Sequence, residues 1–525
     1  MSLDYKNIGT LFSLNLLNVL LNVAYSTLMV YFFGTSPKIE AFFAASTLGT
    51  MISRFVQTGQ LVEILVPKYH KIKAEVNPKA AMTIISMMCN YMVGTAFLLV
   101  LGFILYGPTI TNLLAPGFSA EAKQQVYQIF CITGFLMPIQ IATNLFQGML
   151  NAENIYGKVE LTNTFSLLIS LAILLVWGHT ESPTVLVIGL VSSVLLQFAT
   201  TVYYLRQVNY KHSFNLQSQY FSLKEMWKAL SATFFYMGGV QIQTIIFSST
   251  LSFLPSGLFA IYKYVELIYG KVANIFMMPV STVFLNDVNR ILLQNDSRQV
   301  KAFVGRNLDF SYLIAFVIFI PFVASGQYLI WTLWGSSKFS VQDVQNVYLL
   351  LTVFFLTMIW NGPYLIFRKL AVSVTRPDLQ YYLWGIAQVF SGLTSYLLIK
   401  KFQFLGLQIQ ISLHTFLMAL IPMGSIYLFK RQYFTLYNWQ EISKITFSLI
   451  VCLIADYFLS QYFEPYYKLS KIQSLAVGSF QAIVSLLCFI LICHLIKVKE
   501  IGILNFKIQE ILGKIPLMKK ILSIK

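Results

Sequence analysis

Three cationic side chains, Arg54, Lys263 and Lys271, lie inside apolar stretches long enough to cross a lipid bilayer. A charge at bilayer depth costs roughly 2.5–3.5 kcal/mol even on the most lenient insertion scale, so such residues face a protein interior or a water-filled cavity. A cationic cavity is matched most simply by an anionic substrate. The guanidinium of Arg54 also suits planar, bidentate contact with phosphate or carboxylate. These three residues are therefore the predicted substrate-binding groups.

A polar stripe accompanies Lys263 in the segment "SGLFAIYKYVELIYGKVANIFMMP" (256–279). At about 100° per residue, Lys263, Glu266, Gly270 and Asn274 fall within roughly 80° of one another on a helix, and Lys271 lies near the edge of the stripe, about two turns deeper. Glu266 and Asn274 are predicted as supporting polar groups.

Two structural alternatives stay open for these cations. Lys263 and Glu266 could form an i,i+3 ion pair that only holds helices together. Arg54 could pair with an acid on another helix, such as Glu266 or Asp456.

The composition sets the class of protein. Residues of the AVILMFWYC set make up 57% of the chain and charged residues 11%, whereas soluble domains carry about 25% charged residues. Since a spanning helix needs about 20 apolar residues, the sequence predicts an all-α, polytopic membrane protein with about fourteen transmembrane helices in two lobes. The predicted segments are 8–33, 41–66, 80–106, 126–150, 158–178, 183–205, 229–254, 257–285, 309–335, 344–367, 379–399, 405–429, 442–460 and 473–496.

The basic residues orient the chain. With both termini in the cytoplasm, the inner segments hold about 27 Lys and Arg residues and the outer loops about 7, as the positive-inside bias requires. The net charge of +17 therefore faces anionic membrane lipid, and nothing in the chain resembles a nucleic-acid-binding module. The predicted divisions are an N-terminal lobe (1–228), a C-terminal lobe (229–440), helices 13 and 14 (441–496) and a basic amphipathic tail (497–525), for which a frayed tail is the alternative.

The sequence offers little for catalysis. All five cysteines fall within predicted helices, with neither disulfide nor metal-ligand spacing. His414 lies alone in "QISLHTFLM", a pattern more typical of hydrogen-bonded packing than of an acyltransferase site, and neither an HExxH pair nor a GxSxG elbow is present. We expect no enzyme activity, no cofactor and no metal site.

Several motifs in the same order resemble the MurJ/MviN-type lipid II flippases, a family of the multidrug/oligosaccharidyl-lipid/polysaccharide exporter superfamily. They are "VYFFGTSPKIEAFFAASTLGTMISRFVQTGQLVEILVPKY" (30–69), "LLAPGF" (113–118), "QGMLNAENIYGKVELTN" (147–163) and "PSGLFAIYKYVELIYG" (255–270). The resemblance covers roughly 8–380 with motifs and the remainder by topology, and fourteen helices with both termini inside is the family's arrangement.

The resemblance implies roles for individual residues. Arg54 falls on a family arginine of helix two, and Lys263 falls on the cavity arginine of helix eight. Glu40 falls on a family Asp at the start of helix two. Gly34, Gly59 and Gly270 fall on family glycines, which would allow close packing or bending.

The chain also departs from the family pattern. The family's Arg–Asp pair in helix one aligns with Tyr25 and Ser26, and its Glu before the helix-two glycine aligns with Thr58. Helix seven offers Gln241 and Gln243 in place of an acid suited to a sodium site. A central part of the family's charge pattern is missing, which favours a divergent member.

The resemblance implies a transporter that moves a lipid-linked, pyrophosphate-bearing saccharide outward across the bacterial inner membrane by alternating access. The membrane potential or an ion gradient would drive it, and the last two helices would guide the lipid tail. The expected partners are this substrate and membrane lipids, and a monomer is compatible with the sequence. Three alternatives stay open: a flippase for an O-antigen, capsule or exopolysaccharide precursor, an ion-coupled drug exporter, and a non-transporting scaffold of the cell envelope.

Overall fold

The chain folds almost entirely into helices. The computed structural model describes residues 5–56, 69–153, 155–217, 222–292, 294, 296–375 and 377–501, and these residues contain no strand apart from an isolated bridge between Ser336 and Phe339. The helices are α1 (Tyr5–Phe33), α2 (Pro37–Val56), α3 (Pro78–Leu105), α4 (Gly107–Leu114), α5 (Ala120–Thr133), α6 (Leu136–Ala152), α7 (Tyr156–Trp177), α8 (Pro183–Leu205), α9 (Leu223–Leu251), α10 (Leu258–Leu292), α11 (Ser297–Trp334), α12 (Val341–Leu356), α13 (Met358–Val374), α14 (Pro377–Phe429), α15 (Trp439–Ser460) and α16 (Lys471–Leu495).

The predicted all-α membrane class is confirmed. Within the described ranges, nine helical stretches are long and apolar enough to cross a membrane, or ten when the bent pair α5–α6 counts as one span. One of those stretches, within the 53-residue α14, covers the two predicted segments 379–399 and 405–429. In contrast, α12 and α13 together form one stretch that covers the single predicted segment 344–367. The total of fourteen spans and the orientation of the termini stay predictions.

Helix α14 is in fact two helices joined by a sharp turn. Gln403 has φ +52° and ψ −126°, outside the helical region. A Cβ at Gly406 would lie 2.0 Å from the backbone oxygen of Leu398, so only glycine permits this return of the chain. Beyond the turn, Gln410 Nε2 donates to the carbonyl oxygen of Ser391 at 2.9 Å and so ties the two halves together. The predicted segments 379–399 and 405–429 lie on either side of this turn.

Short polar side chains fix where many of the helices begin. Asn77 accepts a hydrogen bond from the backbone N–H of Ala80 at 2.7 Å at the start of α3. Ser340 and Asp343 form a reciprocal capping box at the start of α12, and Ser470 and Gln473 form another at α16. These side chains satisfy backbone N–H groups that have no partner within the helix.

The described chain divides into two compact units. The first contains residues 1–264, 336–339 and 381–410, hence α1 to α9, the start of α10 and part of α14. The second contains 265–335, 340–380 and 411–525; its helices α10, α11, α13 and α14 surround an apolar core that includes Phe284, Val304 and Phe367. The predicted lobes at 1–228 and 229–440 follow chain order and stay a prediction. Of the predicted tail helix, residues 502–525 lie outside the described residues.

We expect an introduced cysteine at Ser337 to face the outside and one at Lys211 to face the cytoplasm, because the distribution of basic residues orients the chain this way. Both positions are exposed, whereas the five native cysteines are buried or half-buried. A membrane-impermeant maleimide applied to intact cells should label Ser337→Cys and not Lys211→Cys until the membrane is permeabilised. The reverse pattern would invert the predicted topology.

Candidate functional site

Helix α9 carries the contacts that hold Arg54 in place. Gln241 Nε2 donates to the carbonyl oxygen of Met51 at 2.8 Å, which ties α9 to α2. One turn further along α2, Arg54 is exposed, and its Nη1 lies 3.5 Å from Thr244 Oγ1 of α9. Because a guanidinium has five N–H donors, this one long contact orients Arg54 without occupying most of its hydrogen-bonding capacity.

Lys263 approaches the same stretch of α9 from α10. Its ammonium lies 5.6 Å from the centroid of the Tyr262 ring, within cation–π range. The Tyr262 ring in turn contacts Phe247 of α9, with 5.0 Å between centroids. Thr244 and Phe247 are three residues apart and share a helix face. One face of α9 therefore supports both Arg54 and the aromatic ring beneath the Lys263 ammonium.

Glu40 fixes the start of α10. This residue is buried, and its carboxyl Oε1 accepts a hydrogen bond from the backbone N–H of Gly257 at 2.8 Å. The backbone N–H groups of Phe259 and Ala260 and the hydroxyl of Ser256 also bond to the carboxyl group. An acidic group at a helix N-terminus satisfies unpaired N–H groups and interacts favourably with the helix dipole. Glu40 is thereby a positioning residue for α10 and for Lys263 one turn further on.

Gly34 forms the turn between α1 and α2 and holds α10 from a second direction. Its φ is +56°, and a Cβ there would lie 2.2 Å from the backbone oxygen of Lys338. Its own carbonyl oxygen accepts a hydrogen bond from the hydroxyl of Tyr264 at 3.0 Å. Tyr264 is fully buried and directly follows Lys263. A side chain at position 34 would disturb this turn both through backbone strain and through steric overlap.

A polar cavity of about 660 Å³ lies beside this turn, at the end of the helices predicted to be outside. Lys338 Nζ contacts Glu181 Oε1 at 2.5 Å and donates to the carbonyl oxygen of Phe32 at 2.7 Å. Lys38 Nζ donates to the backbone oxygen of Glu181 at 3.2 Å. The hydrogen bond from Lys338 holds the pKa of the Glu181 carboxyl below its usual value. Ser119, Glu121 and Gln125 line the same cavity.

The remaining predicted residues lie elsewhere. Lys271, Glu266 and Asn274 belong to the second unit, where Lys271 and Glu266 are half-buried and Asn274 is exposed. At Gly270 a Cβ would meet nothing within 4 Å, so the structure shows no close approach that requires glycine there. Gly59 lies outside the described residues.

Sequence patterns did not predict a polar network on α7. Glu160 Oε2 accepts hydrogen bonds from Asn18 of α1 at 3.1 Å and from Asn163 at 3.4 Å. Asn163 Oδ1 accepts from Gln197 of α8 at 2.7 Å. The sequence did contain a signal for this network, because Asn18, Asn163 and Gln197 are amides in apolar helices. Such side chains tend to form hydrogen bonds across helix interfaces. The network joins α1, α7 and α8 within the first unit.

The family can now be assigned. A family model described as "Lipid II flippase MurJ" matches residues 29–485. This chain belongs to the lipid II flippase MurJ family. Since the match covers most of the chain, the predicted resemblance is confirmed, and with it the placement in the inner membrane as a multi-pass protein.

Similar proteins agree with this assignment. The probable lipid II flippase MurJ of Rickettsia prowazekii (strain Madrid E) is 21% identical over 466 residues, which cover 84% of this chain and 88% of that protein. The probable lipid II flippase MurJ of Buchnera aphidicola subsp. Baizongia pistaciae (strain Bp) is 22% identical over 308 residues, or 56% of this chain. The match spans 59% of the length of the Buchnera protein.

Two solved structures share the fold of this chain. A lipid II flippase MurJ in an inward closed conformation matches with a TM-score of 0.72 at 17% identity, over 90% of this chain and 97% of that structure. A multidrug resistance MATE family transporter in an inward-facing conformation matches with a TM-score of 0.63 at 10% identity, over 81% of this chain and 98% of that structure.

Gly34→Ala should destabilise the protein and Gly270→Ala should not. Strain of a non-glycine residue in the left-handed region costs on the order of 1–3 kcal/mol, and the overlap with Lys338 adds to it. At position 270 the added methyl has open space, and alanine favours a helix over glycine by about 1 kcal/mol. Thermal unfolding in detergent is the measurement. Equal melting temperatures for the two variants would contradict the packing described for Gly34.

The Glu181–Lys338 pair should make the protein sensitive to acid. Because the pKa of folded Glu181 is lowered, its contribution to stability is fully present above its ordinary pKa of about 4.5 and is lost as the pH falls through the lowered value. We expect wild type to lose more thermal stability than Glu181→Gln below that pH. Glu121→Gln, on the same cavity but outside the ion pair, is the control. Parallel acid profiles for wild type and Glu181→Gln would exclude a stabilising pair.

Proposed function

We propose that this chain moves a lipid-linked saccharide carrying a pyrophosphate across the inner membrane, with lipid II or a related cell-envelope precursor as the substrate. Arg54 and Lys263 bind the pyrophosphate, and Lys271 assists from further along α10. The observation behind this proposal is that one face of α9 contacts both groups. Thr244 contacts Arg54, and Phe247 contacts the Tyr262 ring on which the Lys263 ammonium lies. Family membership supports a lipid-linked saccharide as the cargo.

A pyrophosphate suits this arrangement because Arg54 and Lys263 supply different kinds of contact. Arginine offers a planar fork that matches two phosphate oxygens, and lysine offers a compact point charge. Hydrogen bonds between charged groups contribute about 1.5–3 kcal/mol each. In a low-dielectric membrane domain both contacts favour an anion over a neutral ligand.

The contacts of Glu40 and Gly34 support a transport cycle by alternating access. They hold the first turns of α10 against the start of α2, at the end predicted to be outside. Hydrogen bonds of this kind can be made in one state and broken in another without breaking the helices themselves. In the proposed cycle these contacts close the outer end and separate when the substrate leaves. The last two helices, within 441–496, guide the lipid tail.

The alternatives make different demands on the cations. A drug exporter for cationic compounds needs acidic groups where Arg54 and Lys263 lie. A flippase for an O-antigen, capsule or exopolysaccharide precursor needs the same cations, because the pyrophosphate is common to these substrates. A scaffold needs neither. The replacement of the family's helix-one charges by Tyr25 and Ser26 favours a substrate that differs from lipid II in its saccharide.

Complementation of a lipid II flippase depletion strain tests the proposal. Wild type should restore growth, and Arg54→Ala and Lys263→Ala should each reduce rescue by about tenfold or more at matched membrane levels, since losing one charge-assisted contact weakens binding by that factor. Arg54→Lys and Lys263→Arg should retain part of the activity. Lys401→Ala, which removes an exposed cation beside the turn of α14, is the control.

The outcomes separate the candidates. Failure of well-inserted wild type to rescue would exclude lipid II, and the same variants would then be assayed in strains that lack flippases for other lipid-linked glycans. Full rescue by Arg54→Ala and Lys263→Ala together would overturn the phosphate-binding role and favour a scaffold.

A further inference from the structure

A carboxyl group lies inside the membrane-spanning part of α15, away from the cations of the proposed substrate site. Asp456 is four residues before Ser460, the last residue of the helix. At a rise of about 1.5 Å per residue this places it about 6 Å below the helix end, the end predicted to be outside. An acidic residue at such a depth calls for a specific role or partner.

The hydrogen-bond partners of Asp456 are incomplete. Ser485 Oγ of α16 donates to Asp456 Oδ1. Asp456 Oδ2 is buried and has no hydrogen-bond partner among the residues that the structure describes. One turn before Ser485 on the same face of α16, Gln481 is 2% exposed, and its Oε1 likewise lacks a donor within the described chain. The interface between α15 and α16 thus holds two buried acceptor oxygens and is short of hydrogen-bond donors.

The neighbouring titratable groups do not neutralise Asp456. Cys452 lies one turn away on α15, and α16 contributes Cys488. Tyr348 of α12 is within electrostatic range, and Tyr328 of α11 lies against Gln481. These are thiols and phenols, which are uncharged near neutral pH. No lysine, arginine or histidine in the described ranges forms an ion pair with Asp456.

A pocket lies near Asp456, at the end of the helices predicted to be outside. A polar pocket of about 390 Å³ is lined by Gln327, Tyr348, Ser460 and Gln461, among others. Ser460, one turn beyond Asp456, ends the same helix, and Gln461 is its C-cap. Tyr348 both lines the pocket and lies within electrostatic range of the carboxyl group. The lining of this pocket therefore begins about one helical turn from Asp456.

We propose that Asp456 is a proton-binding site, loaded from the outer aqueous phase through this pocket. An ionised carboxylate without a counter-charge is costly in an apolar interior, and binding a proton removes that cost. The bound proton also turns Oδ2 from an acceptor into a donor, which is the kind of group this interface lacks. The proposal stands on the second unit alone and does not depend on the identity of the transported substrate.

Protonation gives the second unit two states. With a proton, Asp456 is neutral, and α15 and α16 pack against each other without solvent. Without the proton, the charge favours water entry from the pocket and a looser helix pair. An equilibrium of this kind shifts with the proton concentration on the side to which the site is open.

Labelling with dicyclohexylcarbodiimide tests the site directly. This apolar reagent adds to a protonated carboxyl group in a membrane domain, and the adduct rearranges to a stable N-acylurea that peptide mass spectrometry locates. In the purified full-length protein in detergent, we expect an adduct at Asp456 whose yield rises as the pH falls from about 8 to about 5, by up to about tenfold per pH unit while the group is mostly ionised. Asp343, a half-buried carboxyl of the α12 capping box at the helix end, should remain unlabelled in the same sample.

Two variants sharpen the experiment. Asp456→Asn should lose this adduct and no other. Ser485→Ala removes the hydroxyl that stabilises the ionised carboxylate, so labelling should extend to higher pH. If Asp456→Asn fails to fold, the test rests on wild type, in which peptide mass spectrometry shows whether Asp456 carries the adduct. Absence of an adduct at every pH would overturn the proposal, and so would loss of labelling when sodium chloride replaces choline chloride, because the carboxylate would then hold a metal cation.

Discussion

The fold depends on one constraint: an apolar bilayer offers no partners to charged or hydrogen-bonding groups, so the protein must supply them. Glu40 shows how this constraint shapes the structure. Its buried carboxyl group meets the unpaired N–H groups at the start of α10, so one contact satisfies an acid and a helix end together. The same contact fixes where α10 begins. It therefore sets the position of Lys263, which the helix places one turn further on.

The turn at Gly34 applies the same constraint at the end predicted to be outside. Its carbonyl oxygen is satisfied by the buried hydroxyl of Tyr264, and its lack of a side chain admits the backbone of Lys338. The ammonium of Lys338 then meets Glu181 and the end of α1. The ion pair between Lys338 and Glu181 at the helix ends and the hydrogen bond from Tyr264 to Gly34 thus hold the region around Lys263. For the proposed binding role of Lys263 such a fixed position is favourable, because a mobile lysine loses conformational entropy when it binds a ligand.

The helices were predictable from sequence because long apolar runs and capping residues are local signals. Ser340 and Asp343, for example, form a capping box within four residues at the start of α12. Contacts between distant residues were not predictable in this way. Lys338 and Glu181 are 157 residues apart and Arg54 and Thr244 are 190 apart, and neither pattern nor composition links such positions. The importance of Glu40 came from family resemblance, and its partners came only from the structure. The sequence leaves Asp456 open as a partner for Arg54, whereas in the structure Ser485 of α16 donates a hydrogen bond to it.

The resemblance aligns Tyr25 and Ser26 with the charged pair that the family carries in helix one, and this departure bears on the proposed cationic site. Tyr25 and Ser26 remove one positive and one negative charge together, so the net charge of helix one does not change. The hydroxyl of Ser26 donates a hydrogen bond to the carbonyl oxygen of Val23 in the same helix, at 2.9 Å. Glu40 directs its carboxyl oxygens at the backbone N–H groups at the start of α10. Its hydrogen bonds therefore serve the start of α10. Replacing a charged pair by neutral groups lowers the desolvation cost of the site, and the specificity for the saccharide then depends on polar groups other than this pair.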